Sequence, residues 1–326
     1  MSENFYFVRP LNAHTSAHSV KVLMISFIIA FIFVHLPWEL IRGTEFADAE
    51  NYIARFNGFI DTEQLVGGGN FLSYISSEFL WVVLIQNLQV LNLNVEDILL
   101  IFSFVTFSVF IYFLFISTSN FILTTILIIN PLIIDFVMSQ VRNSFALSII
   151  IIAFLCKHKQ IRYILLVISS MIHSSSLIFI VLILILDNVY YIDKRKNFFF
   201  LLCLGLLFGL VITEGRDFIL ELLGDRRSGI VQPKSSFLFS VFWILYFSLM
   251  IRLKDFNIAD IYTKFSFAIF VTFVSSVLFG TYASRYLAVM LPFLIISTLN
   301  LKGTSKYLAC TVLFMYQILQ FSYWIN

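Results

Sequence analysis

Apolar blocks of about 15–25 residues follow one another along almost the whole chain, with only short polar gaps between them. A helix crosses the hydrocarbon core of a bilayer in about 20 residues, and a dry interior obliges it to pair its own backbone groups. With 60% of 326 residues hydrophobic and a mean hydropathy of +0.94, little chain is left over for a soluble domain. The fold class that follows is all-α: a polytopic integral membrane bundle of roughly 10–11 segments, some broken or interfacial, around an outward-facing cavity. One integral membrane domain is expected to cover residues 1–326.

The crossings expected are Val20–Leu36, Ile98–Ile116, Phe121–Ile134, Phe145–Cys156, Tyr163–Leu186, Phe198–Ile212, Phe237–Ile251, Phe265–Phe279, Tyr286–Leu299 and Tyr307–Trp324. The first has no small-residue cleavage pattern after it and reads as a retained helix. Phe71–Leu91 carries Ser73, Ser76, Ser77, Glu78, Gln86, Asn87 and Gln89, too polar for a lipid-exposed span, and is expected along the interface. Cys156, Cys203 and Cys310 stand in apolar segments without metal-ligand spacing, which argues against a disulfide framework. No basic stripe with interleaved aromatics points to nucleic acid.

Short gaps rich in lysine and arginine stay in the cytoplasm. Three carry that signal: Lys157, Lys159 and Arg162; Lys194, Arg195 and Lys196; and Arg252, Lys254 and Lys264. The first two flank one apolar block, so a single crossing would leave one of them outside. Two half-helices meeting near Met171–Ser176 keep both inside, a break tolerated where the exposed backbone lines a polar cavity. In the rival count that block and Phe71–Leu91 each cross once. The preferred layout puts nine of the ten lysines inside, all but Lys234. Arg42, Arg55, Arg142, Arg216, Arg226, Arg227 and Arg285 fall outside. Arginine's planar fork grips phosphate at two points where lysine offers a point charge, so this outer face suggests a phosphate-bearing ligand. Ordinary loop charges are the alternative.

Few polar residues can carry chemistry. Asp48 and Tyr52 are four apart after Arg42, on one face if the segment is helical, and such a pair can hold a sugar by its hydroxyls. Gly67-Gly68-Gly69 reads as a hinge, since no Lys-Ser/Thr follows to make a phosphate loop. Glu78 is the one carboxylate of its apolar segment, facing either an outer cavity or the headgroup layer. Arg142 opens an apolar helix, where the helix dipole disfavours a cation. It therefore pairs with Asp135 or binds an anion. His173 lies in Ser169-Ser170-Met171-Ile172-His173-Ser174-Ser175-Ser176, polar company that suits a wet cavity and a base or phosphate ligand. No acid is placed in sequence to orient it, so the serines are not expected to form a triad. Arg285, flanked by Tyr282 and Tyr286, suits a phosphate or glycan, or else snorkels to the interface.

In this order, Arg42…Asp48…Tyr52, Glu78, Arg142 in Gln-Val-Arg-Asn-Ser-Phe-Ala, Met-Ile-His-Ser-Ser-Ser around His173 and a late Ser-Arg-Tyr at Arg285 resemble the EpsG-like branch of the Wzy-type polysaccharide polymerases. The pattern covers residues of roughly 40 to 290. Two departures stand out: Phe79-Leu80 where relatives often have proline after the glutamate, and Asn143 where they often have glutamine after the arginine. The resemblance implies a metal-independent glycosyltransferase without cofactor, in the inner membrane of a Gram-negative or related bacterium and facing the periplasm. It would move a growing O-antigen or similar glycan from undecaprenyl diphosphate onto a second undecaprenyl-diphosphate-linked repeat unit. A flippase and a chain-length regulator are implied as partners.

On that reading Arg142 and Arg285 hold diphosphate, and His173 is the base or a diphosphate ligand, with Asp48 second as base. Arg42, Asp48, Tyr52, Glu78, Tyr282 and Arg216 contact substrate. A lipid-linked oligosaccharide flippase or transporter would show repeated halves and ion-coupling carboxylates, neither of which is seen. A membrane O-acyltransferase would need His173 on the acyl-donor side. An O-antigen ligase would differ only in its acceptor.

Overall fold

The computed structural model describes residues 16–56, 78–118, 120–156, 158–188, 194–215, 218, 221, 237–258, 260–279 and 284–325. Among them are fifteen helices and no strand. They are α1 Ser16–Val34, α2 Trp38–Arg42, α3 Ala47–Phe56, α4 Phe79–Val90, α5 Val95–Ser117, α6 Phe121–Ile128, α7 Pro131–Met138 and α8 Val141–Leu155. The rest are α9 Lys159–Ile172, α10 Ser176–Asn188, α11 Lys194–Thr213, α12 Phe237–Arg252, α13 Ile261–Leu278, α14 Ser284–Leu299 and α15 Gly303–Trp324. The chain is thus an all-α membrane bundle. Among the described residues three helices are long and apolar enough to cross a bilayer alone, Val95–Ser117, Lys196–Thr213 and Ile261–Leu278. The bent pair α6–α7 makes a fourth if counted as one span, and six further apolar helices are shorter.

Local sequence explains where helices start and break. Asn94 accepts from the Asp97 N–H at 2.7 Å to open α5, and Glu96 and Asp97 add favourable charge to its first turn. Asp260 accepts from the Thr263 N–H at 3.2 Å to open α13. The block expected to cross as Phe121–Ile134 is instead two helices bent by 68°, because Pro131 has no N–H to continue α6. Asn130 accepts from the Leu132 N–H at 2.9 Å, and the Gln317 side-chain amide donates to the carbonyls of Ile126, at 2.9 Å, and Ile129. The break therefore leaves few orphan groups in an apolar setting.

The chain divides into two compact units. The first draws on residues 1–119, 133–180 and 321–326. Here α5 is the hub: α1, α3, α4 and α8 pack on it, and α9 packs on α8 and α4. Trp81, Ile85, Ile98, Phe102, Val141 and Ile172 meet in its core. The stretch expected along the interface contributes α4, which buries Trp81, Val82 and Ile85 there. Its amides find backbone partners: Gln89 donates to Phe56 O at 3.0 Å and Asn87 to Val83 O at 2.8 Å. Polar residues that argued against packing are thus satisfied within the protein. Residues 71–77 of that stretch, and the Gly67–Gly69 run, lie outside the described residues.

The second unit draws on residues 120–132 and 181–320. There α13 packs against α11, α12 and α14. Gly205 and Gly209 let α11 approach α13 so closely that the Ser275 hydroxyl reaches the Gly205 carbonyl at 3.4 Å. This Gly-xxx-Gly seam substitutes backbone contact for the hydrophobic drive that lipid does not supply.

Candidate functional site

In the first unit three helix ends bring their polar side chains to one place. Glu78 sits at the start of α4 in the left-handed region, φ 55° and ψ 42°, a conformation costly for a residue with a Cβ. Its side chain makes no cap bond to its own helix. Instead one carboxylate oxygen pairs with the Arg142 guanidinium and the other lies 2.5 Å from Nδ1 of His173. The Ser174 N–H and hydroxyl each stand 3.4 Å from that second oxygen.

His173 terminates α9 with extended backbone, φ −146° and ψ 118°, and its N–H still donates to Ser169 O at 3.0 Å. The next turn starts α10, with the Ser176 N–H donating to His173 O at 3.0 Å. The expected break in the 163–186 block is therefore present, three residues wide, at 173–175. Arg142 is the second residue of α8, where the dipole opposes a cation. The buried carboxylate of Glu78 offsets that cost. The Arg142 guanidinium also covers the ring of Tyr52 from α3, 5.5 Å from its centroid, and Tyr52 meets the edge of Trp81 at 5.9 Å.

The cluster is secluded: Glu78 is 5% exposed, His173 7%, and the Arg142 side chain 15%. Away from water, charges must balance. Arginine and glutamate already cancel, so a neutral imidazole leaves the cluster without net charge. A carboxylate beside Nδ1 accepts a hydrogen bond from that nitrogen, and in a neutral imidazole the lone pair would then lie on Nε2. Buried Nε of Arg142 has no acceptor among the described residues.

Two expectations need correction. An acid does orient His173: it is Glu78, distant in sequence and brought in by the packing of α4 against α9. Asp135 is not the partner of Arg142. It pairs with Arg42 at 3.1 Å and accepts from Trp324 Nε1 at 3.2 Å. A turn at Ser139–Gln140 separates α7 from α8, so Asp135 and Arg142 belong to different helices. Arg42 is further enclosed by the rings of Phe46, at 5.3 Å, and Trp324, at 5.8 Å.

The remaining candidates are dispersed. Asp48 and Tyr52 share a face of α3, as their spacing predicts, and Asp48 lies close enough to Asp135 for the two carboxylates to repel. On the same helix a hydrogen bond from Glu45, together with its charge, holds the Glu50 carboxyl above its ordinary range. Arg285 is exposed at the start of α14 in the second unit. Arg216 and Tyr282 lie outside the described residues. Sequence reasoning missed the Glu78–His173–Ser174 contact and the Asp135–Trp324 bond, which join residues 95, 96 and 189 apart. No local spacing signals either.

Neither the curated proteins nor the solved structures contain a match to this chain. The sequence model of the EpsG family matches residues 20–326, a range that includes every member of the Glu78–Arg142–His173 cluster. The chain belongs to the EpsG family, whose members are Wzy-like polymerases, and is a polysaccharide polymerase of that general kind.

Proposed function

We propose that the protein extends a surface polysaccharide at the periplasmic side of the bacterial inner membrane. It transfers a growing glycan from undecaprenyl diphosphate to the terminal sugar of a second undecaprenyl-diphosphate-linked repeat unit. The observation that carries this reading is the secluded Arg142–Glu78–His173 cluster in a chain of this family.

The chemistry is a displacement at an anomeric carbon. His173 Nε2 takes the proton of the acceptor hydroxyl, and the resulting oxygen forms a bond to the anomeric carbon of the donor. The bond from that carbon to the diphosphate oxygen breaks, and its electron pair leaves with the lipid diphosphate. Negative charge grows on the leaving group, where guanidinium donors in a poorly solvated site stabilise it most. Arg142 is assigned that task, in place of a metal ion. Tyr52 and Asp48 on α3 offer a phenol and a carboxylate to sugar hydroxyls, with Arg42 as a further contact. Translocation of the repeat units and control of chain length fall to a flippase and a regulator.

Deletion in the native strain tests the reading, with surface glycan resolved on gels. Loss of the ladder down to a single-repeat band, restored by the wild-type gene, supports a polymerase. Disappearance of every glycan band indicates a flippase or a ligase instead. A full ladder from His173→Ala removes His173 from catalysis.

A further inference from the structure

We infer that Glu78, grouped above with the substrate contacts, is a positioning residue that fixes the tautomer of His173. This rests on the polymerase reading for its role but not for its geometry. One oxygen of Glu78 is committed to Arg142 and the other to Nδ1 of His173, with Ser174 donating to the latter. Carboxylate accepts on both oxygens, so it satisfies a cation and an N–H donor at once. Holding the proton on Nδ1 leaves the lone pair on Nε2, the nitrogen on the far side of the ring from the carboxylate. When Nε2 takes the acceptor proton, the imidazolium lies beside Glu78 and at the C-terminal end of α9, both of which favour positive charge.

Glutamine at this position exposes the logic, because an amide has one accepting oxygen where the carboxylate has two. Arg142 carries a full charge and claims that oxygen. The amide NH2 then faces Nδ1 and donates to it, so the proton moves to Nε2 and the base is lost. Glutamine must adopt the same left-handed backbone as glutamate, so the substitution changes the chemistry and not the strain. Aspartate keeps both acceptors but is one methylene short.

The test uses the full-length chain in lipid nanodiscs with 15N-labelled histidine. Five histidines are present, and His173→Asn identifies the signal of interest. At neutral pH the wild type should show a protonated Nδ1 and a bare Nε2, and Glu78→Gln the reverse. With lipid-linked repeat units extracted from cells lacking the gene, Glu78→Gln should lower kcat by about 10²–10⁴-fold and leave KM within about threefold. Glu78→Asp should recover part of kcat. An Nε2-protonated or doubly protonated wild-type imidazole overturns the inference whether or not the variant folds. So does a Glu78→Gln protein that keeps both spectrum and kcat. Wild-type protein with the expected tautomer that fails to extend those repeat units refutes the polymerase reading and leaves the dyad standing.

Discussion

Replacing Arg142 by methionine removes the cation and keeps much of the side-chain volume, which isolates the charge balance of the cluster. Glu78 is 5% exposed, so its carboxylate is left with little water to replace the lost partner. Breaking one half of a buried ion pair costs about 3–5 kcal/mol, and the 15% exposure of the Arg142 side chain argues for the lower end, about 3 kcal/mol. In a unit of 150–250 residues that corresponds to a fall in melting temperature of about 6–12 °C. His173 can relieve part of the cost by taking a proton from solvent, but an imidazolium has no lone pair for catalysis. Arg142→Met should therefore lose polymer ladder even where enough folded protein remains.

The double variant Arg142→Met/Glu78→Gln removes both charges and should melt closer to the wild type than either single variant does. The coupling expected between the two positions is about 2 kcal/mol or more, in the range found for residues that share a buried network. Fluorescence-detected melting of the solubilised full-length protein measures it. Equal, additive losses from the two single variants would refute the argument, as would an Arg142→Met protein melting within about 2 °C of the wild type.

Other expectations are separable from that network. A Cβ at position 209 would lie 1.6 Å from Ser275 Oγ and 2.7 Å from Ser275 Cβ. Gly209→Ala should therefore destabilise by about 1–3 kcal/mol, and Ser275→Gly on that background should restore the melting temperature, since it removes both clashing atoms. Arg42 and Asp135 are each about a quarter to a third exposed, so Asp135→Asn should cost less than about 1 kcal/mol by the same melting assay. If Arg42 acts on substrate, Arg42→Ala should shorten the polysaccharide ladder while Asp135→Asn does not; matching phenotypes would assign Arg42 to the ion pair alone.

The helices were legible in sequence because membrane chains advertise them. The long apolar blocks became helices, and the serine-rich run around His173 marked one break, whereas the break at Pro131 divides a block expected to cross whole. What stayed hidden depended on distance along the chain. Glu78, Arg142 and His173 could each be singled out by the cost of burying polar groups in an apolar segment, but that cost is the same whichever partner offsets it. Asp135, seven residues from Arg142, was one of two partners the sequence allowed it, the other being a bound anion. The turn after α7 places it against Arg42 and Trp324 instead. The Gly205–Gly209 seam was written locally, yet two glycines in a leucine-rich helix gain meaning only from the face they turn toward α13.

Helix ends are where a bundle of this kind can afford reactive groups. Inside a continuous helix every backbone donor and acceptor is spoken for, and a side chain there projects into packed neighbours or lipid. At an end the backbone is already polar and turns are tolerated if they line a hollow. Glu78 starts α4, Arg142 starts α8 and His173 ends α9. The dipoles do not treat the three alike. They favour the carboxylate at a start and an imidazolium at an end, and they oppose the guanidinium at a start. Arg142 is thus the member with the least intrinsic reason to be where it is and the greatest dependence on Glu78. An anionic ligand reaching the same guanidinium would strengthen its hold while weakening its bond to Glu78, and that would leave the carboxylate freer to stabilise a protonated His173. In the reaction proposed above, binding of the donor diphosphate and readiness of the base would then be coupled through one carboxylate.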